Sequence, residues 1–133
     1  MGDCPYFLFH ILTAFMLAGS ALGQTIVYPE GGAAQERLAA QEIRRYVYLR
    51  TGKKMPLRAM DTLPAVGDVI LVADSDHTII RHLRNEINHD TNPGCFILKT
   101  IASDSRRVLV ITGHDSAATL YGAYRFAEHL GVS

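Results

Sequence analysis

The hydrophobic pattern changes its period early in the chain. A short run of β-branched and aromatic residues at 25–28 predicts a strand, which Pro29 ends. Over residues 33–51 the apolar positions recur at three- and four-residue spacing, which predicts an amphipathic helix. Gly52 follows this helix and is expected to be its left-handed C-cap. The apolar positions of the helix are Ala34, Leu38, Ala39, Ile43, Tyr46 and Val47.

A continuous apolar run at residues 68–73 predicts a strand that is covered on both faces and lies centrally in a sheet. Residues 55–57 include Pro56 and predict a brief edge strand, because proline cannot donate a ladder hydrogen bond. Asp74 and Asp76 offer N-caps for a short helix over residues 78–87.

Two further apolar runs, residues 95–102 and 107–112, are joined by a turn-like segment and predict an antiparallel hairpin. A last helix is expected to begin at a cap formed by Asp115 or Ser116 and to end at Gly131. Its predicted apolar face contains Ala117, Leu120, Tyr121, Tyr124, Ala127 and Leu130. In this helix Gly122 implies close packing, because glycine within a helix is otherwise unfavourable.

The order of these elements is β-α-(β)-β-α-β-β-α, which predicts an α/β (α+β) fold. Strands joined through a helix run parallel and a hairpin is antiparallel, so the sheet should be mixed. We therefore expect a mixed sheet of about four to five strands with the two main helices packed on one face.

The amino terminus has the pattern of a secretory signal peptide. An apolar run at residues 6–17 precedes a small-residue segment that ends in Ala21-Leu-Gly23. The run is shorter than the roughly 20 apolar residues of a membrane span. We expect a signal peptide at residues 1–23, a domain at 24–133 without a membrane span, and a secreted or periplasmic location. An uncleaved anchor and a misassigned start codon are the alternatives. Cleavage would leave Cys95, which is expected to be a small buried apolar residue.

Composition narrows the function classes. The chain has 133 residues, 48% of them hydrophobic, with 13 basic and 13 acidic residues. This balance lacks the basic excess that binding to a phosphate backbone needs, so nucleic acid is not an expected partner. The apolar fraction indicates one globular domain.

Candidate chemistry is sparse. His82, Glu86 and His89 have a spacing that would suit metal ligation on one helix face, but Arg81 and Arg84 beside them favour a solvated surface. Glycosidic cleavage needs two carboxylates, and the candidates are Asp74 with Asp76 or Asp104 with Asp115. Capping and turn formation explain all four of these aspartates. No catalytic, metal-binding or cofactor-binding residue is therefore assigned.

Several segments together resemble a known module. They are Ile-Val-Tyr-Pro-Glu at 26–30, Ala-Ala-Gln-Glu-Ile-Arg-Arg-Tyr at 39–46, Thr-Gly-Lys-Lys-Met-Pro-Leu at 51–57, Val-Ile-Leu-Val at 69–72, and residues 113–131 with Leu-Tyr-Gly-Ala-Tyr at 120–124. The combination resembles the amino-terminal domain of α-glucuronidases and the similar second domain of β-N-acetylhexosaminidases. In such enzymes the domain precedes a (β/α)8 barrel that holds the catalytic carboxylates, and a barrel needs roughly 250 residues.

The resemblance implies a secreted, non-catalytic accessory domain of an α-glucuronidase-type glycoside hydrolase acting in xylan breakdown, here without its barrel. Whether the chain itself is an enzyme stays open, and a barrel in cis is the implied partner if the chain is a fragment. The alternative is a free-standing carbohydrate-binding or protein-interaction module, with polysaccharide as the candidate ligand and exposed Tyr48 as a stacking platform.

Overall fold

The computed structural model describes residues 23–87, 92–102 and 106–131. These residues form five strands and four helices. The strands are β1 Gln24–Tyr28, β2 Leu57–Ala59, β3 Asp68–Val72, β4 Phe96–Ala102 and β5 Arg107–Gly113. The helices are α1 Ala34–Thr51, α2 Thr78–Arg81, α3 Arg84–Ile87 and α4 Ser116–Leu130.

The five strands form one mixed sheet in the order β2-β1-β3-β5-β4. The pairs β1–β2, β1–β3 and β3–β5 are parallel, whereas β4 and β5 form an antiparallel hairpin. In the parallel register Ile26 lies beside Ile70, and Ile70 lies beside Leu109. The predicted α/β fold, the central position of β3 and the hairpin are therefore confirmed.

Both faces of the sheet are covered. The two long helices α1 and α4 pack on one face, where Ile43, Val47 and Phe126 belong to a core with Ile70 and Ile111. The second face carries another apolar cluster to which α2 and α3 contribute; its residues include Val69, Leu71, Ile79, Ile80 and Ile87. All five residues of β3 are buried, and only the first of them, Asp68, is polar. The coverage of both faces of the sheet explains this apolar sequence.

The ends of the long helices follow the predicted chemistry. Gly52 and Gly131 have φ values of 78° and 80°, so both are left-handed C-caps. At the start of α4 the Asp115 carboxylate accepts a hydrogen bond of 2.8 Å from the Ala118 N–H. Asp115 rather than Ser116 is thus the N-cap.

The buried face of α4 differs from the prediction. Tyr121 and Tyr124 are exposed, at 61% and 38%, instead of facing the sheet. The face against the sheet consists of smaller residues and one phenylalanine: Ala118, Thr119, Gly122, Ala123, Phe126 and Ala127. Small residues are needed there because the helix approaches the sheet closely: a Cβ on Gly122 would lie 3.1 Å from Ile111 Cγ2.

Gly113, at the end of β5, shows the same close approach. A Cβ at this position would lie 2.4 Å from Thr119 N and 2.6 Å from Ala118 C. The Gly113 N–H donates a 3.0 Å hydrogen bond to Thr119 Oγ1, which itself donates to Asp115 O. The first turn of α4 is therefore held directly against the last residue of β5.

Three other sequence expectations need correction. The edge strand lies at Leu57–Ala59 rather than at 55–57, because Met55 is buried and precedes the strand. The helix expected over 78–87 is two short helices, since Leu83 N–H bonds to Ile80 O only three residues back. In α1, Ala34 and Leu38 are exposed, whereas Ala39, Ile43, Tyr46 and Val47 are buried as predicted.

The two outer strands of the sheet are β2 and β4. β2 has three residues, and β4 has seven. In the middle of β4 the Lys99 ammonium donates a 2.8 Å hydrogen bond to the carbonyl of Ile87, at the end of α3.

Cys95 is buried, as expected. The signal peptide predicted at residues 1–23 lies almost wholly outside the described part of the chain, as does Asp104. Within that part, none of the helices combines the length and apolar character required to cross a bilayer.

Candidate functional site

The loops that follow β1 and β3 lie side by side, because these strands are parallel neighbours. After β1, a turn closed by the Gly32 N–H to Pro29 O hydrogen bond leads into α1. After β3, the segment 73–77 turns toward α2. The carboxyl ends of parallel strands are where α/β proteins usually place ligands. Here Glu36, in the first turn of α1, lies beside Asp74 and His77, which are 38 and 41 residues further along the chain.

Glu36 lies at the centre of this cluster and is only 1% exposed. Its Oε1 accepts a 2.8 Å hydrogen bond from the Ala33 N–H, which satisfies a backbone donor at the start of α1. Its Oε2 accepts a 2.8 Å hydrogen bond from the Asp74 N–H in the other loop. Gly32 makes room for this carboxylate, since a Cβ there would lie 3.1 Å from Glu36 Oε1. The buried carboxylate thus joins the two loops.

His77 closes the cluster on the solvent side. Its Nε2 lies 2.9 Å from Glu36 Oε2, 3.1 Å from Oε1 and 3.8 Å from Asp74 Oδ1. Because carboxylates are hydrogen-bond acceptors, Nε2 is the nitrogen that carries the proton. The side chain is 26% exposed, so solvent reaches the imidazole.

Asp74 is the second carboxylate of the cluster. Burial raises the pKa of its carboxyl above the usual value, and the neighbouring Glu36 charge acts in the same direction. The hydrogen bond from the Asp76 N–H to Asp74 Oδ1 and the proximity of His77 oppose this shift. Two carboxylates and one imidazole therefore share a partly solvated site at the carboxyl edge of the sheet.

The residues singled out in the sequence are distributed differently. Asp74 forms a turn with Asp76, but neither residue caps α2, whose N-cap is His77 without a side-chain capping bond. His82 ends α2 and Glu86 lies in α3, so the expected single helix face is not formed. The third member of that set, His89, lies outside the described residues.

A shallow groove of about 540 Å³ lies along the outer side of α1. It contains the exposed Tyr48 ring and the basic side chains of Arg44 and Lys54; Gln41, Glu42 and Arg45 complete its lining. Arg45 is engaged by Glu42 at 3.1 Å, whereas Arg44 and Lys54 form no ion pair among the described residues. The hydrogen bond from Arg45 lowers the pKa of the Glu42 carboxyl despite the opposing effect of burial.

Comparison with models of protein families and with curated proteins finds no match for the chain.

Sequence reasoning missed Glu36 as a functional residue. No position was predicted for it, and the structure buries it in the first turn of α1. Two signals were available: a glutamate in the third position of a helix can bond back to the N-cap, and the loops after neighbouring parallel strands meet at one edge. Together they place Glu36 beside the segment that contains Asp74 and His77.

Proposed function

We propose that residues 24–133 form a non-catalytic accessory domain of a glycoside hydrolase of α-glucuronidase type, which packs against a (β/α)8 barrel in cis. The observation that carries this proposal is the outer surface of the helical layer. Among the described residues, most of the exposed large apolar side chains lie there: Leu38, Tyr48 and Leu49 on α1, and Tyr121 and Tyr124 on α4. Such a surface suits an interface between domains, in which aromatic residues are enriched.

The roles of the acidic side chains also support this proposal. Glu36 is buried and bonded to two backbone N–H groups, so a polymeric substrate has no access to it. Asp68 accepts hydrogen bonds from the backbone and guanidinium of Arg107, and Asp115 caps α4. These carboxylates are engaged in holding the fold together. Catalysis is accordingly proposed to reside in the barrel.

The reading frame beyond the Ser133 codon tests the accessory-domain proposal. We expect it to encode about 250 further residues with alternating strands and helices. The longer product should hydrolyse an aryl glucuronide, and residues 24–133 alone should not. A stop codon with no barrel-like frame downstream would refute the proposal. So would turnover by residues 24–133 that a single carboxylate substitution abolishes.

We propose a secreted or periplasmic location, with removal of residues 1–23 as a signal peptide. Amino-terminal sequencing of the mature protein should begin at Gln24. A mature protein that retains residues 1–23 would contradict this proposal.

A second candidate function is carbohydrate binding in the groove along α1, favoured by the arrangement of Tyr48 beside Arg44 and Lys54. An aromatic ring offers a stacking surface for a sugar, and two cations without ion pairs suit an acidic substituent. Titration with neutral and uronate-bearing xylan oligosaccharides would show saturable binding that Tyr48→Ala removes. Tyr121→Ala is the matched control, since Tyr121 is equally exposed but lies on α4. Absence of saturable binding at about 1 mM ligand would exclude this function.

A further inference from the structure

The Glu36–Asp74–His77 cluster has the donor set and the dimensions of a metal-binding site. One ligand atom from each residue lies within 4.8 Å of the other two. His77 Nε2 is 2.9 Å from Glu36 Oε2 and 3.8 Å from Asp74 Oδ1. Two ligands bound to one ion at about 2.1 Å are roughly 3.0 to 3.4 Å apart. The His77–Glu36 separation is slightly shorter than that range, and the His77–Asp74 separation is slightly longer.

The hydrogen bonds of Glu36 leave it able to bind an ion. Each carboxylate oxygen has two lone pairs, and each accepts one backbone N–H, from Ala33 or from Asp74. His77 Nε2 lies 3.1 Å from Oε1 and 2.9 Å from Oε2, so each oxygen has a second lone pair available for a group at that position. An ion would therefore replace the proton on that nitrogen and leave both backbone hydrogen bonds intact.

The charge of the cluster favours a cation. Glu36 and Asp74 form ion pairs only with His77 among the described residues. One imidazole carries at most a single positive charge, whereas two carboxyl groups lie beside it in a partly buried site. A divalent ion would balance both carboxylates, which reduces the cost of burying them.

The chemistry of the ligands selects the type of ion. Imidazole nitrogen together with carboxylate oxygen suits zinc and similar divalent transition metals, whereas calcium and magnesium prefer sites made of oxygen atoms. The side chains of His77 and Asp74 are 26% and 18% exposed, so an ion can enter from solvent and keep water ligands. We propose that Glu36, Asp74 and His77 bind a divalent transition-metal cation of the zinc class, with water completing its coordination.

The proposal of a metal site is independent of the accessory-domain proposal, because only the geometry of the Glu36–Asp74–His77 cluster supports it. The test uses the full chain without a polyhistidine tag, stripped with a chelator and then titrated with Zn²⁺. We expect saturable binding of one ion per chain by calorimetry. Thermal unfolding followed by circular dichroism should shift upward by about 10 °C when free Zn²⁺ is 100-fold above Kd. Magnesium and calcium should give no comparable shift.

His77→Gln is the decisive variant. A glutamine amide can still donate to Glu36, but it is a poor zinc ligand, so the variant should fold and lose at least tenfold in zinc affinity. Asp74→Asn keeps an acceptor for the Asp76 N–H and should weaken binding in the same way. The matched control is His82→Gln, which changes an exposed histidine five residues away and should bind zinc like the parent.

Nuclear magnetic resonance of the imidazole nitrogens locates the ion directly. On addition of Zn²⁺ the His77 Nε2 signal should move, and the His82 signals should stay in place. The proposal is overturned if the parent binds no zinc up to about 1 mM. It is equally overturned if His77→Gln binds as tightly as the parent, or if the His82→Gln variant loses the binding instead.

Discussion

The contact between Gly113 and the first turn of α4 makes a quantitative prediction about Gly113→Ala. The added Cβ would lie 2.4 Å from Thr119 N, 2.6 Å from Ala118 C and 2.8 Å from Ala118 Cβ. Two of these three atoms belong to the backbone, so a change of rotamer cannot relieve the overlap. The helix must move away from β5. Overpacking of this kind costs about 1 to 3 kcal/mol.

Movement of α4 would also lengthen the 3.0 Å hydrogen bond from the Gly113 N–H to Thr119 Oγ1. Loss of that bond leaves a buried donor without a partner, which costs about 1 to 3 kcal/mol. We therefore expect Gly113→Ala to lower the free energy of unfolding by about 2 to 6 kcal/mol in total.

Urea unfolding followed by far-ultraviolet circular dichroism measures this loss, since the chain has no tryptophan for fluorescence. Gly31→Ala is the matched control: no heavy atom lies within 4 Å of its Cβ position, and its φ is not positive. That variant should stay within about 0.5 kcal/mol of the parent. If Gly113→Ala is as stable as Gly31→Ala, the close approach of α4 to β5 does not exist as described.

Three further substitutions have defined outcomes. Glu36→Gln places an amide N–H₂ group against a backbone donor and should cost about 2 to 4 kcal/mol in urea unfolding; an unchanged midpoint would mean that the carboxylate does not join the two loops. Gly122→Leu should cost about 1 to 3 kcal/mol by overpacking, and the same assay tests it. The hydrogen bond from Arg45 lowers the pKa of the Glu42 carboxyl. The pair therefore stabilises the fold fully at pH values above the ordinary carboxyl pKa, and this stabilisation is lost as the pH falls through the lowered pKa. The parent and Glu42→Gln should therefore differ slightly in free energy of unfolding, and this difference should shrink on acidification and in high salt. A difference that does not depend on pH would contradict this prediction.

The sequence was sufficient for the elements whose pattern is local. The central position of β3 followed from the apolar run at 68–73, and the ends of α1 and α4 followed from Gly52 and Gly131. These features depend on the backbone preferences of a few neighbouring residues, which sequence reports directly.

Features that depend on tertiary distance could not be read in the same way. Tyr121 and Tyr124 fit an apolar helical period, yet the short distance between α4 and the sheet excludes large rings from that contact. Glu36 is charged, yet backbone donors from two loops satisfy it in the interior. Both outcomes depend on which element lies opposite the residue, and the apolar period of a single helix does not show that.

Lys99 has a consequence for how the molecule behaves at high concentration. It lies in the middle of the seven-residue strand β4, which is outermost among the described strands, and an outer strand can be a template for pairing with another chain. A lysine on such a strand opposes this pairing, because its positive charge would be buried in the interface between the two chains. The opposite edge is only the three-residue strand β2. The sheet is consequently protected at both ends against growth into fibrils, one edge by charge and the other by length.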